Sequence, residues 1–328
     1  MTEVAGLPGT ATLAEIGERA VIATLTADLP PAADVLVGPG DDGAVLEVAG
    51  PLVTSLDVLV QDVHFKLGWS DPADIGRKAV AVNVADLEAM GARATAVVLG
   101  FSAPPHLQLR WVRELAGGLR AECAAAGVSL VGGDVTRARD LTLSVTVLGG
   151  LEGRPPVLRS GARAGDVVAL RGRTGWAAAG LAVLSRGFRS PRAVVEAQRV
   201  PQVPYGQGVV AARAGATAMV DVSDGLLADL GHVARASGVV VDLRQDAFEV
   251  PEPLQAVSAA TGADPYDLLL TGGEDHALAA TFPAGAVPEG WRVVGEVRAA
   301  GEDEGAGVLV DGRTWAATGG FDHFGGGR

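Results

Sequence analysis

The chain has 328 residues, with 39 acidic against 26 basic side chains, a formal net charge of −13 and 48% hydrophobic residues. That acidity argues against a nucleic-acid backbone as partner, and the length exceeds a comfortable single core, so two globular domains are expected. One cysteine, Cys123, excludes an intramolecular disulfide and a thiolate metal cluster; with no signal-like start and no apolar run long enough to span a bilayer, the expectation is a cytoplasmic protein outside any membrane.

Residues 13–29 carry helical spacing through Ile16, Ala20 and Ile22. The apolar run Val35-Leu36-Val37 then leads into Gly38-Pro39-Gly40-Asp41-Asp42-Gly43, which satisfies the spacing G-x-G-x-x-G. Two features oppose a dinucleotide cradle. Asp41 and Asp42 stand where phosphates would come, and residues 44–48 and 52–60, broken by Gly50-Pro51, read as strand, turn, strand rather than helix. A phosphate role for this loop would run through a cation such as Mg²⁺ held by the aspartates.

Asp71-Pro72 opens a helix that runs to about residue 90, with Ile75, Ala79, Val82 and Leu87 toward a core. Asn83 and Asp86, three apart, project together from one side of it, and Lys78 reads as a solvated helix residue. Residues 94–101 read as a strand, and 107–126 as a helix stopped by Gly127 with Cys123 in its core. Residues 128–131 lead into Gly132-Gly133-Asp134, and 141–151 form another strand. Gly153-Arg154-Pro155-Pro156 marks the boundary, giving domains of residues 1–152 and 153–328.

In the second domain, strands are expected at residues 166–170, 217–222, 239–243, 277–282 and 291–297. Helices are expected at 176–185, 205–214, 224–237, 253–260 and 265–270, and Asp311-Gly312 signals a hairpin joining 308–310 to 313–317. Strands and helices mix without strict βαβ alternation, which predicts an α+β fold.

The aspartates fall at the ends of apolar runs beside glycine: Asp41 and Asp42, Asp134, Asp221 with Asp224, and Asp275 after Glu274, while Asp57 lies inside an apolar strand. Singly, each reads better as a turn former or helix cap, Asp224 before Gly225-Leu226-Leu227 being the clearest cap. Together, carboxylates at strand ends converge only around something cationic, and hard oxygen donors select Mg²⁺, Mn²⁺ or Ca²⁺ over zinc. Of the histidines, His64 in Asp62-Val63-His64-Phe65 is as well read as a ligand-binding residue as a packing one, and the other four read as structural.

Eight segments in order resemble the motif series of thiamine-monophosphate kinases, within the superfamily of aminoimidazole ribonucleotide synthetase and selenophosphate synthetase. They are Gly40-Asp41-Asp42-Gly43-Ala44, Asp57-Val58-Leu59-Val60 with Val63-His64-Phe65, and Asn83-Val84-Ala85-Asp86 with Ala89-Met90-Gly91-Ala92. Gly132-Gly133-Asp134, Arg159-Ser160-Gly161-Ala162, Asp221-Val222-Ser223-Asp224-Gly225-Leu226, Gly272-Gly273-Glu274-Asp275 and Gly320-Phe321-Asp322-His323-Phe324 complete the series. The resemblance implies a two-domain α+β protein: a mixed-sheet N-terminal domain for ATP, metal and dimerisation, and an α/β C-terminal domain completing the nucleotide and substrate site. It implies transfer of the ATP γ-phosphoryl group to thiamine monophosphate by a homodimer.

Under that resemblance Asp41, Ser55, Asp57, Asp86, Asp134, Asp221 and Asp224 hold several Mg²⁺ ions; Gly133, Asp134, Arg159 and Ser223 contact ATP; and His64, Glu274 and Phe321 contact the thiamine substrate. No covalent nucleophile is implied. Leu56, where the family usually has threonine, Ala116, near the place of an aromatic associated with the nucleotide, and Asp62, in place of a small residue, depart from the pattern. The competing readings are another ATP-using member of the superfamily and a non-catalytic divalent-cation-binding module. Residues 1–30 lack the Cys and Lys of the selenophosphate branch, and residues 325–328 lack the cysteine tail of a hydrogenase-maturation relative.

Overall fold

The computed structural model describes residues 6–30, 32–301 and 305–317. The chain forms two compact units, one of Met1–Leu87 and Ala92–Gly153, the other of Glu88–Gly91 and Arg154–Arg328.

The first unit runs α1 (Leu13–Ile16), α2 (Glu18–Leu25), β1 (Val35–Val37), β2 (Val45–Leu46), β3 (Leu52–Val60), α3 (Pro72–Ala89), β4 (Arg93–Ala103), α4 (Leu109–Ala126), β5 (Ser129–Arg137) and β6 (Thr142–Gly150). The helix expected over 13–29 is two helices, because Gly17 adopts φ 76° between them. β5 does not stop before Gly132-Gly133-Asp134 but continues through it to Arg137. Its neighbour can pair that far because a Cβ at Gly133 would overlap the Leu99 carbonyl oxygen, and glycine carries none.

The main sheet of this unit has the order β3-β6-β4-β5, parallel between β4 and β5 and antiparallel elsewhere. Its two faces differ. Val97, Leu99, Phe101, Leu143, Val145 and Val147 are buried on the helix-covered side, whereas Leu52, Leu56 and Val58 on edge strand β3 are 50%, 53% and 37% exposed. On the covered side α3 and α4 meet at bare backbone: a Cβ at Gly76 would overlap the Leu115 carbonyl oxygen, and one at Gly118 would overlap the Ala73 carbonyl. Ile75, Ala79, Val82 and Leu87 of α3 are all buried, as their spacing requires. Lys78 is not solvated: it is 2% exposed and its Nζ donates to the His64 carbonyl oxygen at 3.2 Å, so its stem fills the core while its head reaches a backbone acceptor.

The second unit continues with β7 (Val167–Arg171), α5 (Trp176–Ser185), α6 (Arg192–Arg199), α7 (Gln207–Arg213), β8 (Ala218–Val222), α8 (Leu226–Ser237), β9 (Val239–Leu243), α9 (Glu252–Thr261), α10 (Pro265–Thr271), β10 (Ala277–Phe282), β11 (Arg292–Ala299) and β12 (Gly307–Val310). Its sheet has the order β12-β9-β11-β7-β10-β8, with β12 parallel to β9 and all other pairs antiparallel. Every residue of β8 and of β10 is buried, so the sheet is covered on both faces at these two strands. Phe282 and Trp291 meet edge to face with centroids 5.4 Å apart in its core.

The hairpin expected at Asp311-Gly312 is only half made. Both residues turn with φ 49° and 72°, but beyond them only Arg313 bridges back to Val310, while β12 spends its pairing on β9. Among the described residues no helix is long and apolar enough to cross a membrane.

The α3–α4 seam yields opposite effects from adjacent substitutions. Gly118→Ala should lower the unfolding free energy by about 1–3 kcal/mol, because overpacking against the Ala73 carbonyl outweighs the gain in helix propensity. Gly117→Ala, where an added Cβ meets nothing within 4 Å, should raise it by up to about 1 kcal/mol. Urea unfolding of the two variants checks this, and a stabilised Gly118→Ala contradicts the seam.

Candidate functional site

The sequence-derived residues divide between the two units. In the first, Asn83 and Asp86 do project together from α3, and both reach β3. Ser55 Oγ donates to Asp86 Oδ2 at 2.6 Å, and the Asp57 backbone N–H donates to Asn83 Oδ1 at 2.9 Å. Asn83 is fully buried, and its Nδ2 donates to the Ala79 carbonyl oxygen at 2.8 Å, which fixes its amide with the oxygen toward β3. Ser55, Asp57 and Asp86 are thus held on one side of the sheet with half-buried side chains.

Asp134 is on the other side. Pairing aligns Asp57 with Val145, Leu99 and Gly133, whereas Asp134 belongs to the adjacent row of Val58, Ser144 and Gly100. Adjacent rows of a pleated sheet point to opposite faces, so Asp134 is exposed on the open face. Asp41 is exposed in the loop between β1 and β2, where its Oδ1 accepts only the neighbouring Asp42 N–H, at 3.1 Å, among the bonds observed. That loop is followed by β2 and not by a helix, in keeping with its poor fit to a dinucleotide cradle. His64 lies just past β3, and its Nδ1 accepts the Val60 N–H at 3.0 Å.

In the second unit Asp221, Ser223, Asp224 and Glu274 come together at one end of the sheet. Asp221, one residue before the end of β8, lies opposite Leu278 of β10, and the loop after β8 and the one before β10 are locked together: Glu274 N–H donates to the Ser223 carbonyl oxygen at 2.7 Å and His276 N–H to the Val222 carbonyl oxygen at 2.9 Å. Glycines permit the approach, since a Cβ at Gly273 would overlap the Ser223 carbonyl oxygen and one at Gly225 the Thr271 carbonyl oxygen. Glu274 and His276 adopt φ 70° and 50°, left-handed values that are unfavourable for residues with a Cβ and are held by these contacts.

Two roles differ from the sequence reading. Asp224 is not the cap of α8. Asp229, one turn into the helix, reaches back so that its Oδ2 accepts the Asp224 and Gly225 N–H groups at 3.0 and 3.1 Å, leaving the Asp224 side chain half-buried in the loop. Burial first, and then the neighbouring charge of Asp221, push the Asp229 carboxyl up to about 7. His276 is also more than packing: its Nδ1 lies 3.0 Å from Asp221 Oδ2, with both residues buried. A lone histidine after an acidic pair gave no spacing signal for that contact.

Arg159 is exposed, and its segment is tied to the end of α8 through Ser237, whose Oγ donates to the Arg159 carbonyl oxygen at 3.1 Å and accepts the Gly161 and Ala162 N–H groups. His232 of α8 feels both ends of this patch: burial, then the Arg159 and Arg235 charges, lower its pKa against the opposing pull of Asp224. Asp275, next to Glu274, caps α5 from outside the helix, its Oδ1 accepting the Ala177 N–H at 3.0 Å. Phe321 lies outside the described residues.

Among the described residues no three His, Cys, Asp or Glu side chains are grouped so as to hold a metal ion. Each unit instead presents hard oxygen donors: a carboxylate and hydroxyl group on α3 and β3, and a carboxylate group around β8. That chemistry suits a divalent cation of the Mg²⁺ kind.

The chain matches the family model for AIR synthase related proteins, the N-terminal domain over residues 40–151 and the C-terminal domain over residues 163–310. It is 49% identical over 316 residues to the thiamine-monophosphate kinase of Mycobacterium tuberculosis (strain CDC 1551 / Oshkosh), covering 96% of this chain and 93% of that one. It is 39% identical to the thiamine-monophosphate kinase of Corynebacterium glutamicum over 95% of both chains. The crystal structure of thiamine-monophosphate kinase from Stenotrophomonas maltophilia K279a superposes with a TM-score of 0.76 at 31% identity, over 90% of this chain and 95% of that chain. An Aquifex aeolicus thiamine monophosphate kinase superposes with a TM-score of 0.74 at 28% identity, over 84% of this chain and 91% of that one.

Asp275 gives this site a pH signature. Burial above all pushes its carboxyl from the ordinary 3.8 up to about 7. The folded protein therefore holds this proton more tightly than the unfolded chain, and the resulting stability is complete below about pH 3.8 and lost as pH rises through about 7. Asp275→Asn keeps the oxygen that caps α5 but has no proton to lose. Between about pH 5 and 8 the melting temperature of the wild type should fall more than that of Asp275→Asn; parallel profiles contradict the assignment.

Proposed function

The chain belongs to the thiamine-monophosphate kinases, within the AIR synthase related proteins, and from that membership we propose that it transfers the γ-phosphoryl group of ATP to thiamine monophosphate, giving thiamine diphosphate and ADP. The observation that carries this reading is the near-complete alignment with such a kinase at 49% identity, together with loops locked so that Asp221, Ser223, Asp224 and Glu274 share one end of a sheet. A structure superposing with a TM-score of 0.73 over 95% of this chain, AaThiL complexed with AMPPCP and TMP, supports ATP and thiamine monophosphate as the two substrates.

In the reaction an oxygen of the acceptor phosphate forms a bond to the γ-phosphorus while the bond from that phosphorus to the β,γ-bridging oxygen breaks, and the electron pair leaves with ADP. The acceptor oxygen is anionic near neutral pH, so no side chain has to remove a proton from it, and no protein nucleophile is needed. What the protein supplies is placement of two polyanions for in-line attack. Arg159 contributes a guanidinium for phosphate oxygens, Gly133 exposed backbone on β5, and Ser223 a half-buried hydroxyl beside Asp224. His64 and Glu274 take the thiamine side, with Phe321 supplying an aromatic face.

Asp41, Ser55, Asp57, Asp86, Asp134, Asp221 and Asp224 are the oxygen donors assigned to magnesium, which when bound neutralises phosphate charge. The open face of β3, with Leu52, Leu56 and Val58, and the exposed Leu36, Val37 and Val45 of β1 and β2 form the surface assigned to a homodimer contact. The use of ATP as phosphoryl donor supports a cytoplasmic location.

Purified protein given ATP, Mg²⁺ and thiamine monophosphate should form thiamine diphosphate, resolved by chromatography, and should sediment as a dimer. Asp57→Asn and Asp221→Asn should each lower turnover on the order of a hundredfold or more with an unchanged circular dichroism spectrum. Full turnover in either variant would remove that aspartate from the site. Turnover with unphosphorylated thiamine but not with its monophosphate would overturn the substrate assignment.

A further inference from the structure

The turn that carries His64 is held from two directions. From the strand side, His64 closes on Val60 twice: its backbone N–H donates to the Val60 carbonyl oxygen at 2.9 Å, and its Nδ1 accepts the Val60 N–H at 3.0 Å. Among the described residues β3 is an edge strand, and His64 satisfies the Val60 backbone groups on its unpaired side. The turn also closes on itself through Asp62 N–H to the Phe65 carbonyl oxygen at 2.7 Å, with Phe65 buried. From the helix side, Lys78 Nζ donates to the His64 carbonyl oxygen at 3.2 Å. The chain contains only two lysines, Lys66 and Lys78, and this one is buried.

The bond from the Val60 N–H to Nδ1 decides the state of the ring. A ring nitrogen that accepts an N–H has its lone pair occupied and carries no proton, so the ring proton sits on Nε2. A second proton, on Nδ1, would face the Val60 N–H donor to donor. We propose that Lys78 is a positioning residue that, with Val60, locks His64 as the neutral Nε2–H tautomer, so that His64 serves as a fixed hydrogen-bond donor to an anionic oxygen of the acceptor and not as a base. This rests on the assignment of His64 to the acceptor made above. The buried ammonium thereby holds the carbonyl of the same residue whose ring is to be oriented.

The test is nitrogen-15 correlation spectroscopy of histidine-labelled enzyme, with its five histidines identified by single His→Gln variants. His64 should show Nε2 protonated and Nδ1 in the unprotonated range, and thiamine monophosphate should move its signals. Lys78→Met should mix the tautomers and raise KM for thiamine monophosphate roughly tenfold or more, leaving KM for ATP unchanged, and Lys78→Arg should recover part of the loss. A His64 protonated on Nδ1 in the wild type, or exchanging between tautomers there, overturns the lock even if Lys78→Met fails to fold. A correct tautomer whose signals ignore thiamine monophosphate overturns the assignment to the acceptor instead.

Discussion

Electrostatic repulsion among carboxylates is the constraint around which this protein is built. Asp221, Asp224 and Asp229 lie within one loop and the helix turn after it, and their mutual charge raises the Asp229 carboxyl beyond what burial alone would do. Hydrogen bonds from His276 to Asp221 and from the Asp224 and Gly225 N–H groups to Asp229 oppose that repulsion, and the backbone holds the loops in place. The holding is done by glycine contacts: Gly225 against Thr271 and Gly273 against Ser223 bring two loops together more closely than any Cβ would allow. The left-handed φ values of Glu274 and His276 belong to the same arrangement, local strain offset by the bonds to Ser223 and Val222.

The first unit meets a milder version of the constraint by hydrogen bonding. Ser55 donates to Asp86, and buried Asn83 ties the backbone of Asp57 to α3, so this acidic group is oriented by a helix whose own position is fixed at the Gly76 and Gly118 seam. Positioning therefore passes from backbone contact to helix and from helix to carboxylate. The Lys78 contact with the His64 turn follows the same route from α3.

Much of this was legible in the sequence. Periodicity located α3, α4, α5 and α8 and most strands of the second sheet, because long apolar patterns bounded by glycine carry their own limits. Asn83 and Asp86 could be placed on one side of a helix by spacing alone, and both reach β3. Contacts made across the chain were not legible. Asp229 reaching back over Asp224, Asp275 capping α5 and His276 meeting Asp221 each depend on a tertiary approach that no local spacing encodes. α6 (Arg192–Arg199) is too short for its periodicity to stand out, and Lys78 departs from its expected solvated place because a single charge in a helix normally faces water.

In the proposed reaction two phosphate groups react directly, with the protein placing them and contributing no covalent intermediate. The stereochemical course at the transferred phosphorus tests that claim most directly. With ATP made chiral at the γ-phosphorus by oxygen isotopes, the thiamine diphosphate formed should show inversion at that centre, as a single in-line displacement requires. Retention would contradict the account, since it would require a phosphorylated side chain and a second displacement.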